Sequence, residues 1–399
     1  MINVAILGFG TVGSGVAEVL KMNNSTISQK AGKKVDLKYI LDVRDISGTA
    51  FDSKVIHDFS IIESDPDVNV VVETIGGATV AYEYTKKALS AGKNVVTSNK
   101  ELVATHGCEL LKLAKVNGVN YLFEASCGGG IPLLHPVNSC FGANQITEIV
   151  GILNGTTNYI LTRMFKDGIS FESALSEAQA NGYAERNPAA DVQGADACRK
   201  ICILSSLAFG RHIYPDQVPT EGITKITSDD VNYAEKADCK VKLLGRSVPR
   251  EDGRVCAYVA PHLVPNDNPI STVQGVFNAI TVTGNAVGDV MFYGQGAGKM
   301  PTASAVVADI IDIAKYGDMG SIISWEEGGP DTTYSTDNLS NRWYVRASGT
   351  VAPSGVEKLS SPEDKNAVFI TNDSMTRPEL DTLLSESGVT PAYIMRVLG

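Results

Sequence analysis

The densest chemistry in the chain lies in residues 182–200, where Glu185, Asp191, Asp196 and Lys200 fall within a Gly- and Pro-containing loop and the start of an apolar helix. Asp196 and Lys200 are four apart, so they share one helical face. The residues that follow, Ile201-Cys202-Ile203-Leu204, are apolar, which places that face near a core. Burial disfavours a lysine's charge and a neighbouring carboxylate favours it, a balance that suits a group that donates and retakes a proton. The same spacing also describes an ordinary helix salt bridge, and the residues by themselves leave both readings open. Lys100 is a second candidate, following the β-type run 94–97. Residues 124–132 offer the Glu124 carboxylate and a glycine-rich run of carbonyls, which suits either a hard monovalent cation or a hinge. Gly294–Gly298 is a second glycine cluster, placed just before a helix.

A third kind of chemistry sits at the chain start. Gly8-Phe9-Gly10-Thr11-Val12-Gly13 follows a strand-like run and opens a helix. In that order the first glycine makes a tight turn, the second admits a pyrophosphate, and the third lets helix and strand pack closely. The helix N-terminus adds free N–H groups and a partial positive charge. The acidic residue that usually follows about 20 positions later is delayed, because 23–34 lengthens the first helix or its loop. Asp42 or Asp45 would accept from a ribose hydroxyl of NAD, and Arg44 between them would meet the 2′-phosphate of NADP. Glu73-Thr74-Ile75-Gly76-Gly77 ends another strand, where open α/β sheets hold ligands.

These groups need a scaffold. Strand-like runs at 3–7, 37–43, 68–73, 94–97 and 121–124 alternate with helical runs at 12–22, 80–91 and 101–114. Val70-Val71-Val72 and Val95-Val96 are apolar on both faces, as in parallel strands covered by helices. The order predicts a Rossmann-type doubly wound sheet in residues 1–125. Residues 126–301 read as an α+β domain, to which the family resemblance given below assigns substrate binding, catalysis and dimerisation, and 302–317 as a helix that returns to the first domain. Residues 319–399 read as a third, small α+β unit, with strands at 342–346, 368–371 and 392–397, a helix at 377–387, and a loop at 349–366.

Composition narrows the class. A chain of 399 residues has room for two or three domains. Its net charge of −11 opposes the basic footprint that nucleic acid or an anionic membrane requires. The seven cysteines are odd in number and form no metal-binding pair of pairs, and the N-terminus opens on a strand with no basic leader. Both features predict a reduced, cytoplasmic protein. The five histidines, His57, His106, His135, His212 and His262, fit no triad or metal spacing.

Taken together, 8–13, 97–100, 124–132, 151–159, 182–200 and 294–298 resemble the homoserine dehydrogenase family, in the family's order over about the first 315 residues. The blocks at 151–159 and 182–200 carry most of the specificity. The resemblance implies NAD(P)-dependent interconversion of L-aspartate 4-semialdehyde and L-homoserine, on the route to threonine and methionine. It makes Lys200 the proton donor and gives Asp196, Glu185 and Asp191 to the substrate. Lys100 falls between substrate and nicotinamide, where the resemblance implies that it assists either proton transfer or binding, and Asp196 counts with Lys200 and Lys100 as catalytic. Gly8, Gly10, Thr11, Val12, Gly13, Arg44, Thr74, Lys100, Gly182 and Gly298 fall to the cofactor, NAD or NADP. A sodium ion would take Glu124, Cys127, Gly129 and Ile131, the last three through backbone carbonyls. A homodimer or homotetramer is implied. The chain departs from the family at Arg186-Asn187, where Pro-Asp is frequent, and in its tail, which resembles a reduced ACT domain. Two rivals remain: an inactive NAD(P)-binding amino-acid sensor, and another semialdehyde oxidoreductase on the same scaffold. The second would need a nucleophilic Cys beside a His, and no Cys has that context.

Overall fold

The computed structural model describes residues 1–399 except Asp45, Ser47 and Ser321 and the side chain of Asp318. Asp45, one of the two candidate ribose ligands, therefore lies outside the described residues. Two compact units emerge. The first comprises 1–145, 202–215 and 294–329, and the second 146–201, 216–293 and 330–399.

The first unit is built on six parallel strands: Ile2–Leu7 (β1), Val35–Leu41 (β2), Val55–Ile56 (β3), Val68–Glu73 (β4), Asn94–Thr97 (β5) and Tyr121–Leu122 (β6). Their order is β3-β2-β1-β4-β5-β6, which is the doubly wound order of dinucleotide-binding sheets. Val4, Ile6, Val70, Val71, Val72, Val95 and Val96 are fully buried, as the apolar runs required. The insertion after the first helix, Thr11–Met22, is a second short helix, Asn24–Ala31, rather than a longer first one. The helix Lys299–Tyr316 lies directly against Thr11–Met22: a Cβ on Gly15 would meet the Lys299 carbonyl at 2.8 Å and Ala303 Cβ at 3.1 Å.

The second unit carries a nine-stranded mixed sheet. Its strands are Ile146–Ile152 (β7), Cys239–Pro249 (β8), Val255–Pro265 (β9), Phe277–Gly284 (β10), Gly288–Gln295 (β11), Arg342–Ala347 (β12), Val356–Lys358 (β13), Val368–Thr371 (β14) and Pro391–Val397 (β15). The order is β11-β10-β7-β8-β9-β15-β12-β14-β13. The tail strands join this sheet through a parallel pairing of β15 with β9, Arg396 opposite His262 and Val397 opposite Leu263. The segment 349–366, expected as loop, contains the short edge strand β13. The tail keeps a core of its own, in which Trp343, Val345 and Phe369 pack on Leu380 and Leu384 of the helix Arg377–Glu386.

β8 went unrecognised in the sequence because Lys240, Lys242 and Arg246 interrupt its apolar run. Two of those cations are nonetheless buried and partnered. Lys242 donates to Asn158 Oδ1 at 3.0 Å and to the Val273 carbonyl. Arg246 pairs with Glu148 and donates to Asn341 Oδ1 at 3.1 Å. A buried lysine or arginine is tolerated where such hydrogen-bond partners stand ready.

Candidate active site

In the first unit the glycine loop is shaped by close approach. A Cβ on Gly13 would fall 1.9 Å from the Gly8 carbonyl oxygen, so only glycine lets the helix start there. Gly10 is the N-cap of Thr11–Met22, Thr11 is exposed, and Val12 is half-buried. Thr74 Oγ1 donates to the carbonyls of Leu7 and Gly8, both at 2.9 Å, tying the end of β4 to the loop. These features fit a dinucleotide pyrophosphate at the helix N-terminus.

Asp42 does something the sequence did not reveal. Its Oδ2 accepts from the Phe9 N–H at 2.6 Å and Arg44 Nη2 at 2.8 Å, and its Oδ1 accepts from Arg44 N at 2.8 Å and Nε at 3.0 Å. A carboxylate has about four lone-pair positions, and four donors occupy them. The Arg44 guanidinium is the largest cause holding this carboxyl well below the usual carboxylate range. Arg44 itself keeps 60% of its side chain exposed.

A second buried carboxylate organises the strand ends. Glu73 accepts from Thr97 Oγ1 at 2.6 Å and from the Ile75 N–H at 2.7 Å, and burial pushes its carboxyl up. Asn99 joins the same corner, donating to the Gly77 carbonyl at 2.6 Å and capping the helix Lys100–Val116 through Leu102 N. Lys100 is therefore the first residue of a capped helix at a strand end, half-buried. Gly298 caps the helix Lys299–Tyr316.

Glu124 is also in the first unit and is nearly buried. Its carboxylate accepts from the backbone N–H groups of Leu133, Leu134 at 2.9 Å and His135 at 2.6 Å. Its own N–H donates to Asp309 Oδ2 at 2.9 Å. Burial pushes both carboxyls up, and Glu124 adds to the effect on Asp309. Cys127, Gly129 and Ile131 are buried, and Gly129 packs so tightly that a Cβ would lie 2.5 Å from the Gly296 carbonyl carbon. The glycine run is thus a packed turn within one unit. The N–H groups of Leu133, Leu134 and His135 take three of the roughly four lone-pair positions of the Glu124 carboxylate, so it has room for one more partner, and with the three carbonyls it would offer the oxygen donors a hard cation takes.

The second unit gathers the proton-transfer candidates. β7 ends at Ile152, and the helix Gly155–Asp167 begins three residues later. Lys200 Nζ donates to the Leu153 carbonyl at 2.6 Å and to Asp196 Oδ2 at 2.8 Å. Both side chains are about one-tenth exposed. Asp191, at the end of the short helix Ala189–Val192, accepts from Asn154 Nδ2 at 2.7 Å, and Asp196 accepts from the same nitrogen at 2.9 Å. Lys200, Asp196 and Asp191 are thus brought together, with Asn154, which sequence reasoning gave no role. Glu185 stands exposed on the loop before them, its backbone carbonyl accepting from Gln179 Nε2 at 3.0 Å. Gly182 is exposed at the end of the helix Phe171–Ala180.

A doubly wound nucleotide-binding sheet combined with a buried lysine–carboxylate cluster defines the class of NAD(P)-dependent oxidoreductases. Within it, the chain belongs to the homoserine dehydrogenase family. Two family models match: homoserine dehydrogenase over residues 132–311, and homoserine dehydrogenase, NAD binding domain, over 8–124. A homoserine dehydrogenase of Bacillus subtilis is 41% identical over 405 residues, covering 99% of this chain and 88% of the relative. A crystal structure of a homoserine dehydrogenase from Thiobacillus denitrificans superposes with a TM-score of 0.90 at 31% identity, covering 100% of this chain and 98% of that one. A hyperthermophilic archaeal homoserine dehydrogenase mutant in complex with NADPH is similar at a TM-score of 0.65 and 29% identity, covering 78% of this chain and 97% of that one. No helix among the described residues is long and apolar enough to cross a membrane.

Proposed function

We propose that the chain interconverts L-aspartate 4-semialdehyde and L-homoserine, with Lys200 as the proton donor in reduction and the acceptor in oxidation. The observation that carries this reading is the double anchoring of Lys200 Nζ by Asp196 and the Leu153 carbonyl in a nearly buried setting. When bound, NAD(P)H supplies the hydride to the aldehyde carbon. Lys200 then gives its proton to the carbonyl oxygen as negative charge develops there, and is left neutral until it regains a proton from solvent. In the oxidative direction neutral Lys200 takes the hydroxyl proton. Asp196, Asp191 and Glu185 are carboxylates suited to an α-ammonium group, and Lys100 contributes to substrate binding and cofactor contact. The supporting contrast is that Asp191 and Asp196 are fixed in place while Glu185 is exposed on a loop, as befits a group that closes on substrate.

For the cofactor, the reading assigns Gly8, Gly10, Thr11, Val12, Gly13, Thr74, Gly182 and Gly298 to contact and favours NADP. Asp42 is saturated by Phe9 and Arg44, and Arg44 presents an exposed guanidinium to a 2′-phosphate. Glu124 with the carbonyls of Cys127, Gly129 and Ile131 is assigned to a sodium ion that would steady this turn. Residues 1–125 serve as the dinucleotide-binding domain, 126–301 as the substrate-binding, catalytic and dimerisation domain, and 319–399 as a reduced ACT-like unit. The protein is assigned to the cytoplasm, as a homodimer or homotetramer in threonine and methionine synthesis. Steady-state kinetics of Lys200→Ala test the core of this reading. Turnover falls while cofactor affinity holds if it is right, and unchanged turnover defeats it.

A further inference from the structure

We propose that Asn154 is the positioning residue of this site: its side-chain amide sets the separation of Asp191 and Asp196 and so aims Lys200. The inference rests on the reading of Lys200 as proton donor given above.

The amide's orientation follows from chemistry. The Thr157 backbone N–H can only donate, and it points at the Asn154 side chain at 2.8 Å, so the atom it meets is Oδ1. Nδ2 must then face the two carboxylates, reaching Asp191 Oδ1 at 2.7 Å and Asp196 Oδ2 at 2.9 Å. One N–H serves each. The one proton of Thr157 Oγ1 is shared between Oδ1 at 2.9 Å and the Asn154 carbonyl at 3.1 Å, so both ends of this buried amide have partners.

The backbone around Asn154 is equally constrained. Its predecessor, Leu153, supplies the carbonyl that holds Lys200 Nζ. Its successor, Gly155, is pressed on the Val276 carbonyl oxygen, which a Cβ would approach to 2.5 Å. Asn154 itself is the N-cap of Gly155–Asp167. Two consecutive residues at the end of β7 therefore fasten the ammonium and both carboxylates.

Electrostatics give the amide its task. Asp191 and Asp196 would repel one another, and the shared donor holds them at one spacing. Asp196 Oδ2 accepts from Asn154 and Lys200 together, so a shift of that carboxylate moves the lysine. Small misplacements of a proton-transfer group cost about a hundredfold in rate.

Two substitutions separate this role from helix capping, because Ser and Asp both rank with Asn as N-caps. Asn154→Ser keeps an acceptor for Thr157, but its shorter side chain and single O–H cannot bridge the two carboxylates as Nδ2 does. Asn154→Asp keeps the shape and replaces the donor with a third carboxylate. The full chain is assayed with L-homoserine and NADP+ across pH, with Lys200→Ala in parallel and melting temperature as a check on folding. The expected result is a fall in kcat of about ten- to a hundredfold in both variants, with cofactor affinity held. In Asn154→Asp the donor is replaced by a third negative charge beside Asp191 and Asp196, so the pH–rate profile departs from the parent's, which loss of a mere cap would not cause. If both variants keep the parent kcat and pH profile while Lys200→Ala is inactive, Asn154 is only a cap and the inference fails alone. If Lys200→Ala keeps turnover, the proton-donor reading fails and takes the inference with it. A loss of folding in one variant leaves the other to decide.

Discussion

Lys200 and Leu153 are joined by a hydrogen bond of 2.6 Å from the lysine ammonium to the leucine carbonyl oxygen, across 47 residues of sequence. The bond ties the helix Ala195–Phe209 to the end of β7. With Asp196 it leaves the ammonium little rotational freedom. In the role proposed above, a lysine held this way would lose less on reaching the transition state than one on a mobile stem.

Lys200→Ala is expected to lower kcat by about a hundred- to ten-thousandfold, the range for loss of a general acid or base. Lys200→Arg is expected to be nearly as poor, since a guanidinium does not give up a proton near neutral pH. Stopped-flow and steady-state rates with both cofactors measure this. A Lys200→Arg variant with parental kcat would show that charge alone, without proton transfer, is what the site supplies.

Arg44→Ala is expected to raise KM for NADPH by about tenfold or more, the scale of a lost charge-assisted phosphate contact, with little change for NADH. Its physical basis is the saturated Asp42 carboxylate, which has no capacity left for a ribose hydroxyl. Equal KM shifts for the two cofactors would place Arg44 away from the 2′-position.

Lys242 offers a test of buried charge by pH. Burial is the main cause lowering its pKa, to about 7, with the neighbouring Lys240 adding to it. An unfolded lysine titrates near 10.4, so between about pH 7 and 10 the unfolded chain binds more protons than the folded one. Stability contributed by this group therefore rises with pH through that window. Lys242→Met is expected to flatten the rise, seen as denaturant midpoints compared at pH 7 and 9. A slope equal to the parent's would mean that Lys242 stays charged in the fold.

How much of this was legible follows from where the partners lie. The glycine loop and the doubly wound sheet were readable because their signals are local: adjacent glycines, and β-branched runs buried on both faces. The cluster of Asp191, Asp196 and Lys200 could be picked out from its spacing and resemblance. Asn154 could not be given its role, because the carboxylates it joins lie 37 and 42 residues away. β8 was lost for the same reason: Lys242 and Arg246 look like surface residues until Asn158, Glu148 and Asn341 are folded beside them. Asp42 was noticed as an acid at a strand end, but its satisfaction by the Phe9 N–H depends on β1 and β2 pairing.

Asp230 supplies a prediction about the tail. Fully buried, it accepts from Tyr344 Oη at 2.8 Å and Arg346 Nε at 2.9 Å, linking the helix Ser228–Lys236 to β12. Asp230→Asn is expected to destabilise the fold by about 3 kcal/mol, since removing one partner leaves a poorly compensated cation. Chemical denaturation measures the loss. A change below about 0.5 kcal/mol, the scale of an ordinary surface substitution, would show that this tie carries no weight.

The most direct measurement follows NAD(P)H absorbance as the purified chain meets L-homoserine with NADP+ and, in parallel, NAD+. The account expects reduced cofactor to form in step with L-aspartate 4-semialdehyde, faster at low concentrations of NADP+ than of NAD+, and to vanish in Lys200→Ala. No turnover with either cofactor, or unchanged turnover without Lys200, would contradict it.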